Sequence, residues 1–187
     1  MIEVVDDFLE IEDADNILAT LIDPRFTWNL CQVLDPDMDN VLCHHSDNIQ
    51  FVHQLFDIKQ LGNMESEYFG VCNPIFKKLN SIIGLRAKIN LGMRSREIIK
   101  HGFHTDLAQE VLDIKCCKTS IFYVNTNNGY TEFEDGTKVE SVANRLVTFP
   151  SHLKHTGTTC TDAAYRIVIN FNYISPLNGK KIDYINK

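Results

Sequence analysis

Apolar residues recur along this chain with two different spacings, and the spacing changes near Gly84. Before that residue, apolar positions three and four apart predict helices over Asp13–Ile22 and over residues 65–83. The first helix has acidic residues at its amino-terminal end, where they complement the helix dipole. Pro74 interrupts the second pattern, which indicates either two helical pieces or one helix that begins near Asn73. Gly84 is expected to end this helix.

Short strands are predicted around these helices. Residues 2–5 and 51–56 are rich in the residue types that favour strands. Trp28, the only tryptophan, lies in the segment 26–30, where a half-buried strand position is favoured over a role as a substrate platform. Residues 35–40 combine aspartates with a proline and are expected to form a turn-rich connection. The first part of the chain is therefore predicted to mix helices with short strands.

From residue 85 onward the pattern alternates with period two, which predicts strands whose two faces meet different surroundings. The predicted strands cover residues 85–91, 115–125, 130–134, 137–142, 144–149 and 165–173. The Asp135-Gly136 pair between two of them is typical of a tight hairpin. Short strands with turn residues between them indicate a sandwich or barrel, so the predicted fold class is α+β and mainly β.

Length and composition indicate one globular domain. The 187 residues are 44% hydrophobic and 23% charged, which is enough for one well-buried core. The sequence contains no internal repeat or linker that would mark a second domain. We therefore expect a single domain over residues 1–187, in which residues 1–84 support a β core over residues 85–175.

The charge balance and the apolar runs disfavour several classes of protein. The formal net charge is −7 and no run of lysine or arginine exceeds two residues, whereas a nucleic-acid backbone demands a concentrated positive surface. The sequence has neither a positively charged leader nor an apolar run long enough to span a membrane, so we expect a cytoplasmic protein. In that reducing compartment the six cysteines are expected to be free thiols: Cys31, Cys43, Cys72, Cys116, Cys117 and Cys160.

Two histidines and an aspartate are the strongest candidates for chemistry. His104 and Asp106 are two residues apart, so in an extended segment their side chains lie on the same side. A second strand that carries His155 could supply a third ligand. Two histidines and one carboxylate on one face of an octahedron, with the other positions open, are typical of non-haem Fe(II) oxygenases. These three residues are therefore predicted to bind one metal ion.

Arg166 begins an apolar strand, where a charged side chain needs a partner. It shares one face of that strand with Val168, Asn170 and Asn172. A guanidinium offers two parallel donors to a carboxylate, and a cosubstrate could bring such a group. Anion binding is therefore one prediction for this residue, and pairing with a structural aspartate or glutamate is the open alternative.

Other histidines and a cysteine allow alternative metal sites. His101 and His152 each lie three residues before a predicted ligand, so the four histidines could form a zinc site. That spacing suits a helix, whereas these segments have the pattern of strand and loop, so we expect both residues to be exposed or to lie next to the ligands. The cluster Cys43-His44-His45 has no second matching cluster and is a weak candidate.

Six short motifs occur in order between residues 86 and 173. They are His104-Thr-Asp106, Ile121-Phe-Tyr-Val-Asn125, Gly129-Tyr-Thr-Glu-Phe133, Asn144-Arg-Leu-Val-Thr-Phe-Pro150, His155-Thr-Gly157 and Arg166-Ile-Val-Ile-Asn-Phe171. In this order and spacing the chain resembles the Fe(II)/2-oxoglutarate-dependent oxygenases, particularly the prolyl-4-hydroxylase-like branch and its small versions in bacteria and phages. The resemblance implies a double-stranded β-helix (jelly roll) with N-terminal supporting helices. For a phage protein the expected location is the host cytoplasm.

The resemblance also implies roles for individual residues. The three predicted ligands would hold Fe(II), and Arg166 would bind the distal carboxylate of the cosubstrate 2-oxoglutarate. Tyr123 would add a hydroxyl donor to that carboxylate, and Asn90, on the strand before the first ligand, would be a further cosubstrate contact. Thr156 and Thr158 either contact the cosubstrate or complete a turn.

The implied activity is that of a dioxygenase, which hydroxylates its substrate with O2 and converts 2-oxoglutarate to succinate and CO2. A protein or peptide side chain is the first choice of substrate, because of the branch resembled and the acidic charge. A free amino acid or another small metabolite is the alternative. From a different class, the chain could bind metal and 2-oxoglutarate as a sensor without turnover, although a sensor needs no open iron site together with a carboxylate-binding arginine.

Overall fold

The described part of the chain is built mainly from β-strands. A computed structural model describes residues 1–31, 49–58, 66–107 and 116–176. Its strands are β1 (Glu3–Val5), β2 (Asn29–Cys31), β3 (Gln50–Asp57), β4 (Ile83–Met93), β5 (Cys117–Tyr123), β6 (Tyr130–Phe133), β7 (Lys138–Glu140), β8 (Arg145–Pro150), β9 (His155–Gly157) and β10 (Tyr165–Ile174). Its helices are α1 (Ile11–Leu21) and α2 (Asn73–Lys78), and a 3-10 helix over Phe69–Cys72 precedes α2. The turn predicted over residues 35–40 and the Cys43-His44-His45 cluster lie outside the described residues.

The strands form two antiparallel sheets that face each other. The major sheet has the strand order β1-β8-β5-β10-β4-β3-β2, and the minor sheet has the order β7-β6-β9. The two sheets enclose a small apolar core, which consists of Ile121, Tyr123, Val147, Phe149 and Val168 from the major sheet and Phe133 and Val139 from the minor sheet. The prediction of a mainly β fold is confirmed.

Strand β10 lies between β5 and β4, and its successive side chains point to opposite faces of the major sheet. Ile167, Ile169 and Phe171 point to one side and are fully buried in a larger apolar core. Arg166 and Asn170 point to the other side, where they line a cavity between the sheets. One strand therefore holds both core residues and polar residues of the candidate site. Packing of the core residues on one face fixes the positions of the polar residues on the other face.

The larger core lies between the major sheet and a layer of helices. Helix α1 has acidic residues in its first turn and buries Ile17 and Leu21 against the sheet. Helix α2 has Pro74 in its first turn, where the missing N–H has no helical partner in any case, and it buries Ile75. Burial of each such side chain contributes about 1.5–3 kcal/mol. The helices thereby support the sheet from the side opposite to the cavity.

Strands from the first part of the chain extend the major sheet at both of its edges. Strand β1 pairs with β8 at one edge, and β3 pairs with β4 and with β2 at the other. The predicted supporting region therefore contributes sheet as well as helix, and β2 and β3 form part of the wall beside the cavity.

The helix predicted over residues 65–83 is wrong in its length. The helical part consists of the 3-10 helix and α2, and the start near Asn73, one of the two predicted alternatives, is confirmed. After α2 the backbone becomes extended, and the Ile82 N–H donates to the carbonyl oxygen of Ile174 over 2.7 Å, which ties the segment to the end of β10. Gly84 lies within β4 and does not end a helix.

The hairpin predicted at Asp135-Gly136 is confirmed. It joins β6 to β7, and Gly136 has a φ of +85°, a conformation that favours glycine. Oδ1 of Asp135 accepts a hydrogen bond of 2.9 Å from the Thr137 N–H, which closes the turn. The hairpin forms one edge of the minor sheet.

Three smaller features test the predictions from the sequence. Trp28 is half-buried against Phe26, with ring centroids 4.9 Å apart, as predicted, but its predicted strand position is wrong, because it lies just before β2. As predicted, no disulfide bond involves any of the described cysteines, which are Cys31, Cys72, Cys116, Cys117 and Cys160. Cys43 lies outside the described residues. Among the described residues no helix is both long enough and apolar enough to cross a membrane.

Candidate metal centre

His104 and His155 are held side by side by a pair of backbone hydrogen bonds. The N–H of each residue donates to the carbonyl oxygen of the other, over 3.0 Å in both directions. His155 begins β9 in the minor sheet, whereas His104 lies in the segment that follows β4. Their ring centroids are 4.9 Å apart. Two histidines distant in sequence therefore have a fixed relative position.

Asp106 completes a group of three potential metal ligands. One ligand atom from each of His104, Asp106 and His155 lies within 4.8 Å of the other two. Nε2 of His104 is 3.9 Å from Oδ1 of Asp106, and Nε2 of His155 is 3.9 Å from Oδ2. Both distances are too long for a hydrogen bond, so these atoms keep their lone pairs for a shared cation. The donor set, two imidazole nitrogens and one carboxylate, fits Fe(II) with open coordination positions.

The other nitrogens of the two rings determine their tautomers. Nδ1 of His104 is 3.0 Å from the Gly102 carbonyl oxygen, and Nδ1 of His155 is 3.3 Å from that of Leu153. Because a carbonyl only accepts, Nδ1 holds the proton in both rings and Nε2 keeps the lone pair on the side of Asp106. Burial lowers the pKa of His155 below its ordinary value despite the nearby carboxylate, so this imidazole is neutral at pH 7. A neutral imidazole is the form that binds metal.

Asp106 is a buried carboxylate that forms no ion pair with a lysine or arginine of the described residues. Arg86 donates only to its backbone carbonyl oxygen, over 3.1 Å, whereas Asn172 donates to Oδ2 over 3.2 Å. Burial acts to raise the pKa of Asp106, but His155, His104, Asn172 and Arg86 together outweigh it and lower the pKa. A buried negative charge is costly unless a cation compensates it. A metal ion among the three ligands would provide that compensation.

Arg166 is buried in the same region, and no carboxylate of the described chain pairs with it. Its Nε donates to Oγ of Ser141 over 2.8 Å, and its Nη2 donates to Oγ1 of Thr131 over 3.4 Å. Burial lowers the pKa of Arg166, although a guanidinium remains charged at pH 7. The alternative of a structural acidic partner is therefore not realised among the described residues. The guanidinium is oriented by two hydroxyl groups and can bind an anion.

Close packing around Arg166 depends on Gly129, in the loop between β5 and β6. A Cβ at this position would lie 2.7 Å from Cδ of Arg166 and 2.8 Å from the Thr159 carbonyl oxygen. The Gly129 N–H donates to Oδ1 of Asn127 over 3.0 Å within the loop, and the Gly129 carbonyl oxygen accepts from the N–H of Ser141, a residue that also binds Arg166, over 3.0 Å. Glycine is needed here for close approach.

A cavity of about 310 Å³ connects the metal group to Arg166. All three potential ligands line it, as do Arg166 and the predicted cosubstrate contact Asn90. Its walls come from both sheets, and its volume is in the range of small-molecule sites. The structure therefore brings a potential metal site and a buried cation into one cavity.

The predicted cosubstrate contacts Asn90 and Tyr123 differ in their access to the cavity. Asn90 lines it, and its Oδ1 accepts a hydrogen bond of 3.2 Å from Gln50. Tyr123 is fully buried beside the cavity, and its hydroxyl donates to Oγ1 of Thr131 over 2.8 Å. Burial raises the pKa of Tyr123, so the hydroxyl keeps its proton. Tyr123 therefore contacts Thr131, which lines the cavity, and does not line the cavity itself.

The neighbouring histidines and threonines occupy different positions around the site. His101 lines the cavity and His152 is exposed, and neither belongs to the group of three ligands. Oγ1 of Thr156 donates to the carbonyl oxygen of His101 over 2.6 Å. Thr158 lines the cavity, and its Oγ1 accepts from the Tyr130 N–H over 2.9 Å. The Thr156 hydroxyl is thus hydrogen-bonded to the backbone, whereas Thr158 faces the cavity.

Several residues around the site were not predicted from the sequence. Ser141 and Thr131 orient Arg166 from the side of the minor sheet, and no local pattern indicates such a tertiary contact. Asn170 and Asn172 do have a signal, because they share the face of Arg166 on β10. Lys88 has the same kind of signal on β4, where it lines the cavity. The Oδ1 atoms of both asparagines are buried without a hydrogen-bond partner among the described residues.

Comparisons with known proteins reveal similarity in structure only. No family model matches the sequence, and no curated protein matches it. One similar structure is a prolyl hydroxylase from Trichoplax adhaerens in complex with a peptide fragment of the hypoxia inducible factor oxygen degradation domain. The match covers 93% of this chain and 83% of the hydroxylase chain, with a TM-score of 0.57 and 12% sequence identity. The viral collagen prolyl hydroxylase of Paramecium Bursaria Chlorella virus-1, in its 2OG complex, matches 94% of this chain and 96% of its own, with a TM-score of 0.56 and 13% identity.

A third structure is the non-heme alpha ketoglutarate dependent epimerase from nogalamycin biosynthesis. It matches 93% of this chain and 78% of its own, with a TM-score of 0.60 and 10% identity. The chain therefore has the fold of the 2-oxoglutarate oxygenases, including the prolyl hydroxylases. The double-stranded β-helix implied by the sequence motifs is confirmed.

Proposed function

We propose that this chain is an Fe(II)- and 2-oxoglutarate-dependent oxygenase that hydroxylates a side chain of a protein or peptide. The proposal rests on one observation: a His-Asp-His group shares a cavity with a buried arginine that has no carboxylate partner among the described residues. A fold by itself serves many functions. A metal site and an anion site in one cavity suit a metal together with a dicarboxylate cosubstrate.

His104, Asp106 and His155 would hold the iron through two Nε2 atoms and a carboxylate oxygen. Asn172 orients the carboxylate, and two backbone carbonyls hold the rings in the required tautomer. Three protein ligands leave coordination positions open for a cosubstrate and O2. When bound, the iron supplies the redox chemistry that couples conversion of 2-oxoglutarate and O2 to succinate and CO2 with hydroxylation of the substrate.

Arg166 would bind the distal carboxylate of 2-oxoglutarate. Ser141 and Thr131 hold the guanidinium in place, and its burial strengthens an ion pair by excluding water. Tyr123 supports this arrangement through its hydrogen bond to Thr131, and Asn90 offers a further polar contact on the cavity wall. The cosubstrate would then lie between Arg166 and the metal.

The neighbours in structure support the proposed substrate class. The Trichoplax prolyl hydroxylase binds a peptide, which supports a peptide or protein substrate. The epimerase belongs to nogalamycin biosynthesis, which keeps a small metabolite as the second candidate. The net charge of −7 favours neither DNA nor RNA.

The proposal is tested by adding Fe(II) and then 2-oxoglutarate to the purified protein without oxygen. We expect a weak visible absorption band when 2-oxoglutarate joins the bound iron. Admission of air should then produce succinate even without added substrate. Metal binding is measured separately by calorimetry, so that loss of metal and loss of turnover are distinguished.

A matched pair of histidine variants controls this experiment. His104→Ala should lose the metal together with the band and the succinate. His152→Ala changes an exposed histidine outside the ligand group and should keep all three. Folded, metal-loaded wild-type protein that gives the band but no succinate would contradict the enzyme and favour a sensor, and protein that gives neither would contradict both. A screen of succinate formation against peptides, amino acids and nucleosides then separates the substrate classes.

A further inference from the structure

Lys88 lies on the cavity wall, and no described residue pairs with its ammonium group. It lies on β4, on the same strand face as Arg86 and Asn90, and it lines the cavity together with the three potential metal ligands. Within the described residues its ammonium group forms neither an ion pair nor a hydrogen bond. An ammonium has three donors, and shielding it from water without partners is costly.

The described charged residues that face Lys88 do not compensate its positive charge. Burial lowers the pKa of Lys88, and Arg86 adds repulsion, whereas Asp106 and Cys31 act in the opposite direction. Asp106 already belongs to the group of potential metal ligands, so a bound metal ion would compensate its charge in place of Lys88. Among the residues that the structure describes, the balance of charge around Lys88 is therefore positive, and an anionic ligand would compensate it.

Lys88 and Arg166 are separate positive positions in the cavity. The pairing of β4 with β10 places Lys88 opposite Asn170, and it places Arg166 opposite Gly92, four residues further along β4. Four residues of strand span roughly 13 Å. The two cations also share no charged neighbour. If the metal and Arg166 hold the two carboxylates of 2-oxoglutarate, neither carboxylate is left for Lys88.

A second unused polar group lies on the strand opposite Lys88. Oδ1 of Asn170 is buried, and no described residue donates a hydrogen bond to it, although Asn170 lines the same cavity. A buried acceptor without a partner indicates a bound water or a polar ligand. An unused cation and an unused acceptor on one cavity wall suit a ligand with an anionic group and an N–H or O–H group better than an apolar one.

We propose that Lys88 binds a carboxylate of the organic substrate, so that the oxygenase acts on a carboxylic acid. The carboxylate belongs either to a free amino acid or to a peptide whose acidic group lies near the hydroxylated carbon. This inference rests on the proposed function, because it assigns both carboxylates of 2-oxoglutarate to the metal and to Arg166. It narrows the substrate class to compounds with a further negative charge.

The test measures binding without turnover, in protein loaded with Zn(II), which has no redox chemistry, and with 2-oxoglutarate. Ligand binding is followed by saturation-transfer NMR. The probes are the twenty L-amino acids, the amides of the same amino acids, and N-acetylated, C-amidated tripeptides that contain either glutamate or glutamine. The amino-acid arm and the glutamate-tripeptide arm distinguish the two sources of the carboxylate.

At least one carboxylate probe is expected to bind wild-type protein better than its amide or glutamine counterpart. Lys88→Met should weaken that binding by about 10- to 100-fold, the usual effect of losing a charged hydrogen-bond partner. Lys88→Arg keeps the charge and should retain most of the affinity. Lys154→Met changes an exposed lysine that pairs with Glu134 and should bind like wild type. Binding of 2-oxoglutarate should be the same in all variants.

The 2-oxoglutarate signal in each sample separates the two possible failures. The assignment of Lys88 is wrong, and the proposed function stands, if 2-oxoglutarate binds while no carboxylate probe does. The same conclusion follows if amides bind as well as acids, or if Lys88→Met binds acids like wild type. Weaker 2-oxoglutarate binding in Lys88→Met would assign the residue to the cosubstrate and also overturn the inference. If wild-type protein fails to bind 2-oxoglutarate, the proposed function fails and this inference with it.

Discussion

The side-chain amide of Asn172 donates a hydrogen bond of 3.2 Å to Oδ2 of Asp106 and a second of 3.0 Å to Oγ1 of Thr119. Asn172 is only 1% exposed and lies on β10, so its amide has little freedom to turn. The contact restricts the orientation of the Asp106 carboxylate. A residue that is not itself a potential ligand therefore determines where one ligand points.

Asn172→Leu keeps the size of this side chain and removes its donor. We expect metal affinity to fall by about 10- to 100-fold, which is the usual effect of losing a hydrogen bond that orients a ligand. Competition with a chromophoric chelator measures this affinity. Thr119→Val removes the other partner of the same amide and leaves the Asp106 contact, so it should bind metal like wild type. Equal affinity in wild type and Asn172→Leu would show that the hydrogen bond has no role in metal binding.

Arg166→Met should separate cosubstrate binding from metal binding. The variant removes a buried guanidinium with no carboxylate partner in the described chain, so 2-oxoglutarate affinity should fall by about 10- to 100-fold while metal affinity is kept. Calorimetric titration of Zn(II)-loaded protein with 2-oxoglutarate measures the effect. Arg94→Met changes an exposed arginine and serves as the control. Unchanged 2-oxoglutarate affinity in Arg166→Met would refute the role given to this residue.

Alternation along β10 explains why one wall of the site could be predicted. Arg166, Asn170 and Asn172 are separated by even numbers of residues. Because side chains alternate between the two faces of a strand, these three lie on the same face. The same rule does not reveal what lies opposite. Ser141 and Thr131 bind Arg166 from the minor sheet, and their proximity depends on how two sheets pack, which no local pattern contains.

The overlong predicted helix illustrates the limit of apolar periodicity. Leu79, Ile82 and Ile83 continue the helical spacing of α2, but the chain is already extended there, and Ile82 and Ile83 are each 53% exposed. Gly84 is needed for close approach and not for a helix stop, because a Cβ there would lie 2.8 Å from Cζ of Phe56. Tertiary pairing with β10 outweighed the local helical preference.

Gly129→Ala should damage the anion site without changing a polar group. The added Cβ would lie 2.7 Å from Cδ of Arg166 and 2.8 Å from the backbone carbonyl oxygen of Thr159, so either the side chain or the backbone must move. We expect weaker 2-oxoglutarate binding and a loss of about 1–3 kcal/mol in the free energy of unfolding, as for other overpacked sites. Gly70→Ala is the matched control, because its Cβ would come no closer than 3.9 Å to another side chain. Wild-type affinity and stability in Gly129→Ala would contradict this account of the loop.

The ion pair between Asp6 and Arg145 joins the segment after β1 to β8 and makes stability depend on pH. Nη2 of Arg145 donates to Oδ2 of Asp6 over 3.0 Å, and Nε donates to Oδ1. Hydrogen bonding from Arg145 lowers the pKa of Asp6 below its ordinary value of 3.8. Because the pKa of the folded state is the lower one, the pair stabilises the fold above pH 3.8, and this contribution is lost as pH falls through the pKa of the folded state.

Asp6→Asn should therefore be less stable than wild type at pH 7, and the difference should shrink below about pH 4, because protonated Asp6 resembles asparagine. Urea unfolding at a series of pH values measures the difference in the free energy of unfolding. Asp15→Asn makes the same change of charge at an exposed position on α1, so it separates the ion pair from net charge. A difference between wild type and Asp6→Asn that stays constant down to the acid limit would show that Arg145 does not stabilise the fold through the Asp6 carboxylate.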